Sequence, residues 1–390
     1  MIDRERLVIA GGVAVLAGAV ILALAWAWAA IGSPVLGLDL LAYEAAADRL
    51  VDTGSPYSEE LRAGPIANEP DNVPIGYFYP PPLAQVFTLV RGVDHVVLAA
   101  TWAISQAALA FVVLPVVWRR SGGRAGLAPL LWLMAFAIGS YPFQLGLVVG
   151  NVSVWIALLV AAVLVTRPRQ KGVLIGGLGL LKTTNTPLLL ASLAERRSRW
   201  PALAVVALVC AASCLISPRA WIAWLELLPN ILRLPPGDSP SSVSLASMFR
   251  YTPVAGTALL SSSIAGVAVG VTAIWLVRRE GLSRRAVTAA VASALLLNPT
   301  LWDHYLAVMV PITIATWPNV SDRWRLVLVV ASTSHLLGWA VALELLRASA
   351  LFMGFVAVTL ASLVGDVPAD RRPRADSTVK IEIPGPLDSP

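Results

Sequence analysis

The sequence predicts an all-α membrane protein that crosses the bilayer many times. Of its 390 residues, 57% are hydrophobic and only 13% are charged, whereas about a quarter of the residues in a soluble domain are charged. Apolar stretches long enough to span a membrane recur along the chain, and arginine-rich segments separate them. We therefore expect a lipid bilayer around this chain and no nucleic acid as a partner.

The apolar stretches predict about ten full spans, at residues 7–31, 96–118, 125–140, 150–166, 200–217, 253–277, 285–299, 304–320, 326–343 and 347–365. The first stretch could be a signal peptide, but its apolar run is longer than usual, so a membrane anchor is the preferred interpretation. Residues 79–91 are expected to form a short, non-crossing helix at the outer surface. Residues 172–192 are expected to form a re-entrant hairpin, broken by glycines, that enters from the inside.

Arginine and lysine predict the orientation of the chain. With loops that alternate sides, 21 of the 29 basic residues fall in the segments placed inside. The positive-inside rule then puts both termini in the cytoplasm. Arginine far outnumbers lysine, and alanine and valine abound. This composition is typical of a high-GC bacterial genome, so we expect a bacterial cell membrane.

One transmembrane domain is expected over residues 1–365, followed by a disordered cytoplasmic tail, 366–390, that is rich in Pro, Asp and Arg. Two long loops, 32–82 and 218–252, face outward, and the first holds 8 of the 23 acidic residues. The ionisable residues of a transporter tend to lie near the midplane of the bilayer. Here they gather at the outer rim, which favours an enzyme over a transporter.

Asp39 is the candidate for a catalytic base. Glu44, Asp48 and Asp52 lie four residues apart and form one polar stripe on a predicted helix. Asp39 lies about 140° from Glu44, on the apolar face that also carries Tyr43. Two interpretations are open. The carboxylate is an N-cap of the helix, or it is held at the lipid–water boundary to accept a proton.

Three cationic side chains are candidates for binding an anion. Lys182 falls in an apolar stretch, where it either snorkels to the inner surface or pairs with an anion such as a lipid phosphate. Arg250 could clamp the same anion, although contact with a lipid headgroup is the simpler interpretation. His304 could donate to a phosphate or belong to a polar interfacial turn.

Aromatic and polar side chains near these groups are candidates for substrate binding. The prolines of YFYPPP, residues 77–82, predict an extended turn and then a helix start. Its tyrosines either mark the membrane interface or form a wall for a sugar or a prenyl chain. Helix capping is the simplest role for the asparagine of this set. The candidates are Tyr43, Tyr77, Tyr79, Asn151, Trp302 and Asp303. No metal site is expected.

These residues occur in an order that resembles glycosyltransferase family 87, the polyprenyl-phosphate-mannose-dependent mannosyltransferases of the GT-C superfamily. The resemblance runs over about residues 1–320 and rests on Asp39, Tyr43, Gly54-Ser55-Pro56-Tyr57, Tyr79-Pro80-Pro81, Gly150-Asn151, Lys182, Arg250, Asn298-Pro299 and Trp302-Asp303-His304. Family members more usually have Gly-Gln, Lys-Pro, Asn-Gln-Ser and a second histidine at four places where this chain has Gly150-Asn151, Lys182-Thr183, Ser241-Ser242-Val243 and Tyr305.

The resemblance implies a GT-C-like fold and an inverting sugar transfer on the outer face of the membrane. The donor would be a polyprenyl-phosphate sugar, with mannose favoured, and the acceptor a hydroxyl of a cell-envelope glycolipid or lipoglycan. Asp39 would be the general base, while Lys182, Arg250 and His304 would bind the donor phosphate. No cofactor is implied. A lipid-linked-sugar transporter or flippase, a polyprenyl-phosphate arabinose transferase and a structural partner of envelope enzymes are the alternatives.

Overall fold

The computed structural model describes residues 4–31, 35–64, 76–232, 242–249, 251–337 and 344–365. Within these ranges the chain is helical, with no strand and one isolated antiparallel bridge, between Ser242 and Trp302. The α-helices are α1 Arg4–Ala30, α2 Leu38–Thr53, α3 Glu59–Ala63, α4 Pro81–Phe87, α5 His95–Arg120, α6 Leu127–Gly139, α7 Tyr141–Val148, α8 Ser153–Val165, α9 Pro168–Leu181, α10 Thr186–Ala194, α11 Arg196–Ile216, α12 Pro218–Leu232, α13 Leu245–Met248, α14 Ala255–Glu280, α15 Arg284–Leu296, α16 Met309–Thr316, α17 Asp322–Leu337 and α18 Glu344–Val364. Four 3-10 segments accompany them, at Thr88–Val90, Thr183–Asn185, Asp303–Val308 and Trp317–Asn319.

Several of these helices are long and apolar enough to cross a membrane. Among the described residues, five are long and apolar enough by length and composition: α1, α5, α11, α14 and α18. Helices α6 and α7 would add a sixth if they form one span, but they are bent by 59° where they meet. The all-helical, multi-span membrane protein that the sequence predicts is therefore confirmed, whereas the count of about ten spans remains a prediction.

The other predicted spans coincide with shorter helices. Helices α6, α8 and α15 have 13 residues each. At 1.5 Å per residue such a helix rises roughly 20 Å, which is less than the roughly 30 Å of a bilayer core. Predicted span 304–320 folds as a 3-10 segment followed by the eight residues of α16. The end of predicted span 326–343 lies outside the described residues.

The short helices form the centre of the molecule. Every residue of α16 is buried, and so are ten of the 13 residues of α15. In contrast, only 6% of the apolar stretch of α1 is buried within the protein. A helix whose sides and ends are covered by protein does not need to span the hydrocarbon layer. Hydropathy alone cannot separate such a helix from a lipid-facing one.

The two segments predicted not to cross also form helices. Residues 79–91 contain α4, which starts on Pro81, and the 3-10 segment that follows it. Residues 172–192 form α9 and α10, which are separated by Lys182 and the 3-10 segment Thr183–Asn185. Whether either segment is re-entrant remains a prediction. The predicted disordered tail lies outside the described residues, as does Arg250.

The two loops that are predicted to face outward pack against each other. Trp224 on α12 is buried, and its ring lies 5.7 Å from that of Tyr57 in the first loop. Arg62 at the end of α3 forms an ion pair with Glu226 at 3.2 Å. Asn230 donates to the Arg62 carbonyl at 2.8 Å. These contacts join residues from predicted loops 32–82 and 218–252 into one structure beside α2.

Candidate active site

The start of α2 is held against the end of α7 by two backbone hydrogen bonds. The Gly37 amide donates to the Val148 carbonyl, and the Asp39 amide donates to the Val149 carbonyl, both at 2.8 Å. Gly37 has φ 65°, a left-handed conformation that favours glycine. A Cβ atom there would lie 2.8 Å from the His95 ring. The position of Asp39 is therefore set by a close crossing of two backbones.

Asp39 is not a helix cap. The N-cap of α2 is Gly37, with no side-chain cap bond, and Asp39 lies in the first turn. Its Oδ2 instead accepts a hydrogen bond from Asn151 Nδ2 at 2.7 Å. The face predicted for Asp39 is confirmed, because Tyr43 and Ala46 on that face are fully buried. The capping interpretation is therefore wrong, and the carboxylate points into the protein.

The side chains of the predicted polar stripe on α2 contact basic residues. Glu44 is half-buried and binds His95 Nδ1 at 2.7 Å. Asp48 and Asp52 are exposed, and they lie 2.7 and 4.0 Å from the Arg91 guanidinium. The stripe therefore fastens the outer side of α2 to the start of α5, and the side with Asp39 faces the protein core.

Asn151 joins Asp39 to a tyrosine and to the next helix. Besides binding Asp39, its Nδ2 donates to the Tyr79 hydroxyl at 3.2 Å. Its Oδ1 accepts from the Ser153 amide at 2.7 Å, at the start of α8. The N-cap of α8 is Val152, without a side-chain cap bond, so Asn151 binds the first amide of the helix from the position before the cap. This bond also orients the side chain, because an oxygen that accepts from a backbone amide leaves the Nδ2 group to face Asp39.

The predicted tyrosines form one buried group around Asp39. Tyr43 donates to the Tyr79 hydroxyl at 3.1 Å, and their rings meet edge to face with centroids 5.2 Å apart. The Tyr77 hydroxyl donates to the Pro80 carbonyl and accepts from the Ala84 amide, both at 2.8 Å. Tyr77 therefore organises the start of α4, while Tyr43 and Tyr79 lie next to the carboxylate.

Lys182 lies between α9 and the following 3-10 segment, where it packs on aromatic rings. Its Nζ is 3.3 Å from the centroid of the Tyr305 ring and 5.3 Å from that of Tyr79. Within the described part of the chain this buried ammonium has no hydrogen-bond partner. It is close enough to Asp39 for the two charges to interact. The structure therefore brings an unpaired cation and a carboxylate into one site.

Tyr305 is a residue of this site that sequence analysis did not select. It was noted only as the place where this chain lacks a second histidine. Its ring covers Lys182 and meets the His304 ring edge to face, with centroids 4.7 Å apart. A buried lysine followed far along the chain by an aromatic residue has no pattern that a sequence reader could recognise.

The Trp302-Asp303-His304 motif sends its side chains in different directions. The His304 ring is buried and parallel to that of Trp302, with centroids 6.4 Å apart. His304 Nε2 has no hydrogen-bond partner among the described residues, and its ring lies within the field of Lys182. Asp303 is fully buried and pairs with Arg347 of α18 at 3.3 Å. The motif therefore reaches both the site and the C-terminal helix.

The end of the second outward loop lies beside this motif. The Val243 amide donates to the Leu301 carbonyl at 2.6 Å, and Ser242 forms its bridge with Trp302. Arg250, the third predicted cation, lies outside the described residues. Its role remains a prediction.

A small cavity opens next to Lys182. It has a volume of about 40 Å³ and is lined in part by Ser153, Asn185, Asn298 and Tyr305. Residues of α8, α10 and α15 also line it, so Lys182 adjoins a small space between these three helices. Among the described residues, no group of three or more His, Cys, Asp or Glu side chains could hold a metal ion.

The surroundings of Asp39 favour a stronger base than an aspartate in water. Burial raises the pKa of the Asp39 carboxyl above its usual value. The hydrogen bond from Asn151 and the charge of Lys182 oppose this effect, since both stabilise the carboxylate. A half-buried carboxylate that keeps these two partners is suited to accept a proton.

Comparison with known families explains this arrangement. The model of glycosyltransferase family 87 matches residues 77–301, which is more than half of the chain. The chain belongs to glycosyltransferase family 87. The resemblance found in the sequence is thus confirmed, and this member of the family is a membrane glycosyltransferase. No curated protein matched the chain. No solved structure matched it either.

The matched region contains part of the site. Tyr77, Tyr79, Asn151 and Lys182 lie within it, whereas Asp39 precedes it. The motif that begins at Trp302 follows directly after its end. The family membership supports glycosyltransfer as the activity, and the geometry has to supply the roles of the individual residues.

Proposed function

We propose that this family 87 member transfers mannose from a polyprenyl phosphate to a hydroxyl of a cell-envelope glycolipid on the outer face of a bacterial cell membrane. The fold is GT-C-like, and the anomeric configuration is inverted. The observation that carries this proposal is that Asp39, held by Asn151 at 2.7 Å, lies within reach of the charge of Lys182, a buried cation. One group is suited to accept a proton and the other to receive negative charge.

In the proposed reaction Asp39 is the general base. The acceptor hydroxyl attacks C1 of the sugar, and its proton passes to the Asp39 carboxylate. The bond between C1 and the phosphate oxygen breaks at the same time, and its electron pair leaves with the polyprenyl phosphate. A single displacement of this kind inverts C1. General base catalysis of this type contributes about 10²–10⁴ to the rate.

Lys182 stabilises the leaving phosphate. The phosphate gains one negative charge as the bond to C1 breaks, and a positive charge already in place lowers the energy of that state. The ammonium of Lys182 makes no hydrogen bond among the described residues, so its donors are available to phosphate oxygens. His304 and Arg250 complete the phosphate site. The proposed donor is already activated by its phosphate, and no cofactor is part of the proposal.

The aromatic residues bind the sugar and the lipid. Tyr43 and Tyr79 lie close to Asp39. The Trp302 ring lies parallel to that of His304, and the neighbouring Asp303 is fixed by Arg347. Both substrates carry long hydrocarbon chains, so they reach the site through the bilayer that surrounds the helices. Tyr77 takes part by fixing the turn from which Tyr79 projects.

Purified protein in lipid vesicles tests this proposal. It is given radiolabelled polyprenyl-phosphate mannose and glycolipids extracted from a bacterial envelope, and the label that enters the glycolipid fraction is measured. Polyprenyl-phosphate arabinose and a nucleotide-linked mannose are offered in parallel. Transfer from the first donor alone supports the proposal. Transfer from the arabinose donor alone, or movement of labelled lipid across the vesicle membrane without transfer, would replace it with an arabinose transferase or a flippase.

A further inference from the structure

Arg347 lies far along the chain from the region that matches the family and yet pairs with Asp303, the neighbour of His304. It belongs to α18 and follows the end of the family match at residue 301 by 46 positions. Its Nε is 3.3 Å from Oδ2 of Asp303. The Asp303 side chain is fully buried, and that of Arg347 is 16% exposed. Taking two charges out of water is costly, and removal of one partner of such a pair leaves the other charge buried without compensation.

Tyr141 contacts both members of the Asp303–Arg347 ion pair. It starts α7, and the Arg347 guanidinium lies 5.8 Å from the centroid of its ring. Its hydroxyl group interacts with the Asp303 carboxylate. The pair therefore connects α18 with α7, the helix whose end carries the two carbonyl groups that bind Gly37 and Asp39.

The position of Asp303 determines the direction of His304. The two residues are consecutive in the 3-10 segment Asp303–Val308, where side chains project about 120° apart. Because Arg347 of α18 holds the Asp303 carboxylate, it also fixes the orientation of the turn that carries His304. His304 Nε2 has no hydrogen-bond partner among the described residues, so its orientation depends on this turn and on packing.

We propose that Arg347 is a positioning residue of the transferase. Through its ion pair with Asp303 it holds the turn in which His304 faces Lys182 and the donor phosphate. Helix α18 thereby takes part in the site. The part that concerns the phosphate rests on the proposed function. The orientation of His304 does not, and it can be measured without any substrate.

Histidine NMR provides the measurement that needs no substrate. The chain has three histidines, so protein labelled with ¹³C-histidine gives few ring signals, and loss of one signal in His304→Gln assigns it. Arg347→Gln should shift the His304 signal. Arg325→Gln is the matched control, because Arg325 forms a pair with Asp322 at 2.8 Å on the surface of α17. The control should leave the His304 signal in place. An unchanged His304 signal in Arg347→Gln would overturn the inference.

A kinetic cycle tests the consequence for catalysis. Arg347→Gln should lower kcat by about 10-fold to 100-fold, as misplacement of a catalytic group does. In a His304→Gln background the same change should cost little more, because the group that Arg347 positions is already gone. Equal losses of kcat in both backgrounds would mean that Arg347 acts on stability or elsewhere, and the inference would fail. A shifted His304 signal in a protein that uses no polyprenyl-phosphate donor would instead refute the proposed function alone.

A second variant covers the case in which Arg347→Gln does not fold. The single change leaves the Asp303 carboxylate buried without its ion pair, which is strongly destabilising. Asp303→Asn combined with Arg347→Gln removes both charges and leaves two side chains that can still form a hydrogen bond. We expect this double variant to melt near the wild-type temperature, with a shifted His304 signal and a reduced kcat. A wild-type signal and wild-type kcat in the double variant would show that the ion pair has no positioning role.

Discussion

Asp39 and Asn151 are 112 positions apart in the sequence and meet in a 2.7 Å hydrogen bond between carboxylate and amide. The bond stabilises the charged form of Asp39 in surroundings where burial raises its pKa. Asn151 is itself held by the Ser153 amide at 2.7 Å. The proposed base is therefore oriented by a side chain that has no freedom to turn away, which makes the pair the first target for mutation.

Replacement of the base should abolish sugar transfer. Asp39→Asn keeps the shape of the side chain but cannot accept the proton, so we expect kcat to fall by about 10² or more. Thermal stability in detergent should stay near that of the wild type, because the oxygen of an asparagine side chain can still accept the hydrogen bond from Asn151. The assay is transfer of radiolabelled mannose into extracted glycolipid.

Two changes on the same helix serve as controls for Asp39→Asn. Glu44→Gln keeps a hydrogen bond to His95, and Asp48→Asn loses only an exposed contact with Arg91. Both should keep most of the activity, because ion pairs with access to solvent contribute little to stability. Loss of a general base should lower the rate by about 10²–10⁴. If Asp39→Asn keeps more than about a tenth of wild-type activity, Asp39 is not the catalytic base.

The hydrogen bond from Asn151 predicts a change in the pH profile. Asp39 works as a base only when it is deprotonated, so kcat should fall as the pH falls through its pKa. Because the bond from Asn151 lowers that pKa, Asn151→Leu should raise it and move the acid limb of the kcat profile to higher pH. The measurement is kcat against pH at saturating donor. A limb that stays in place would separate Asn151 from the ionisation of Asp39.

Asn151→Gln is the matched control for this experiment. It keeps an amide group next to Asp39, and glutamine is the residue that family 87 members more usually carry after the glycine. We expect the acid limb of Asn151→Gln to lie closer to that of the wild type than to that of Asn151→Leu. The reverse order would mean that side-chain size, rather than the hydrogen bond, controls the base.

Lys182 should control use of the lipid-phosphate donor. Lys182→Met keeps the apolar length of the side chain and removes the charge that the leaving phosphate requires. We expect a higher donor KM and a kcat lower by about 10²–10³, which is the usual cost of removing one group that stabilises negative charge in a transition state. The acceptor KM should change little, since the acceptor hydroxyl lies on the side of Asp39.

Lys171 is the matched control for Lys182. It lies on α9, the helix that ends just before Lys182, and its Nζ donates to the Leu282 carbonyl near the other end of that helix. Lys171→Met should leave donor KM unchanged. Equal donor kinetics in Lys182→Met and in the wild type would return Lys182 to the interpretation of a snorkelling side chain.

Labelling in intact cells tests the predicted orientation. After Cys210 and Cys214 are replaced by alanine, single cysteines are introduced by Glu60→Cys and Ala125→Cys, both at exposed positions. Glu60 lies in the predicted outward loop. Ala125 is the first residue of predicted span 125–140 and directly follows the segment 119–124, which is predicted to face the cytoplasm. An impermeant maleimide should label the first and not the second, and both should be labelled after the cells are opened. Labelling of the Ala125→Cys protein in sealed cells would reverse the predicted topology.

The sequence by itself determined the features that depend on local pattern. A period of about 3.6 residues predicts α2, its polar stripe and the face that carries Asp39. This period is visible within the sixteen residues of the helix itself. The membrane environment follows from the length and composition of the apolar stretches. The order of motifs was sufficient to predict the family, which the match over residues 77–301 confirmed.

The tertiary structure alone decided which residues meet. Asp39 finds Asn151, Lys182 lies on the Tyr305 ring, and Asp303 pairs with Arg347. It also decided that several predicted spans are short central helices, such as α15 and α16. Hydropathy records that a side chain avoids water but not whether protein or lipid covers it. Contacts between distant segments depend on how the helices pack, and no local period in the sequence carries that information.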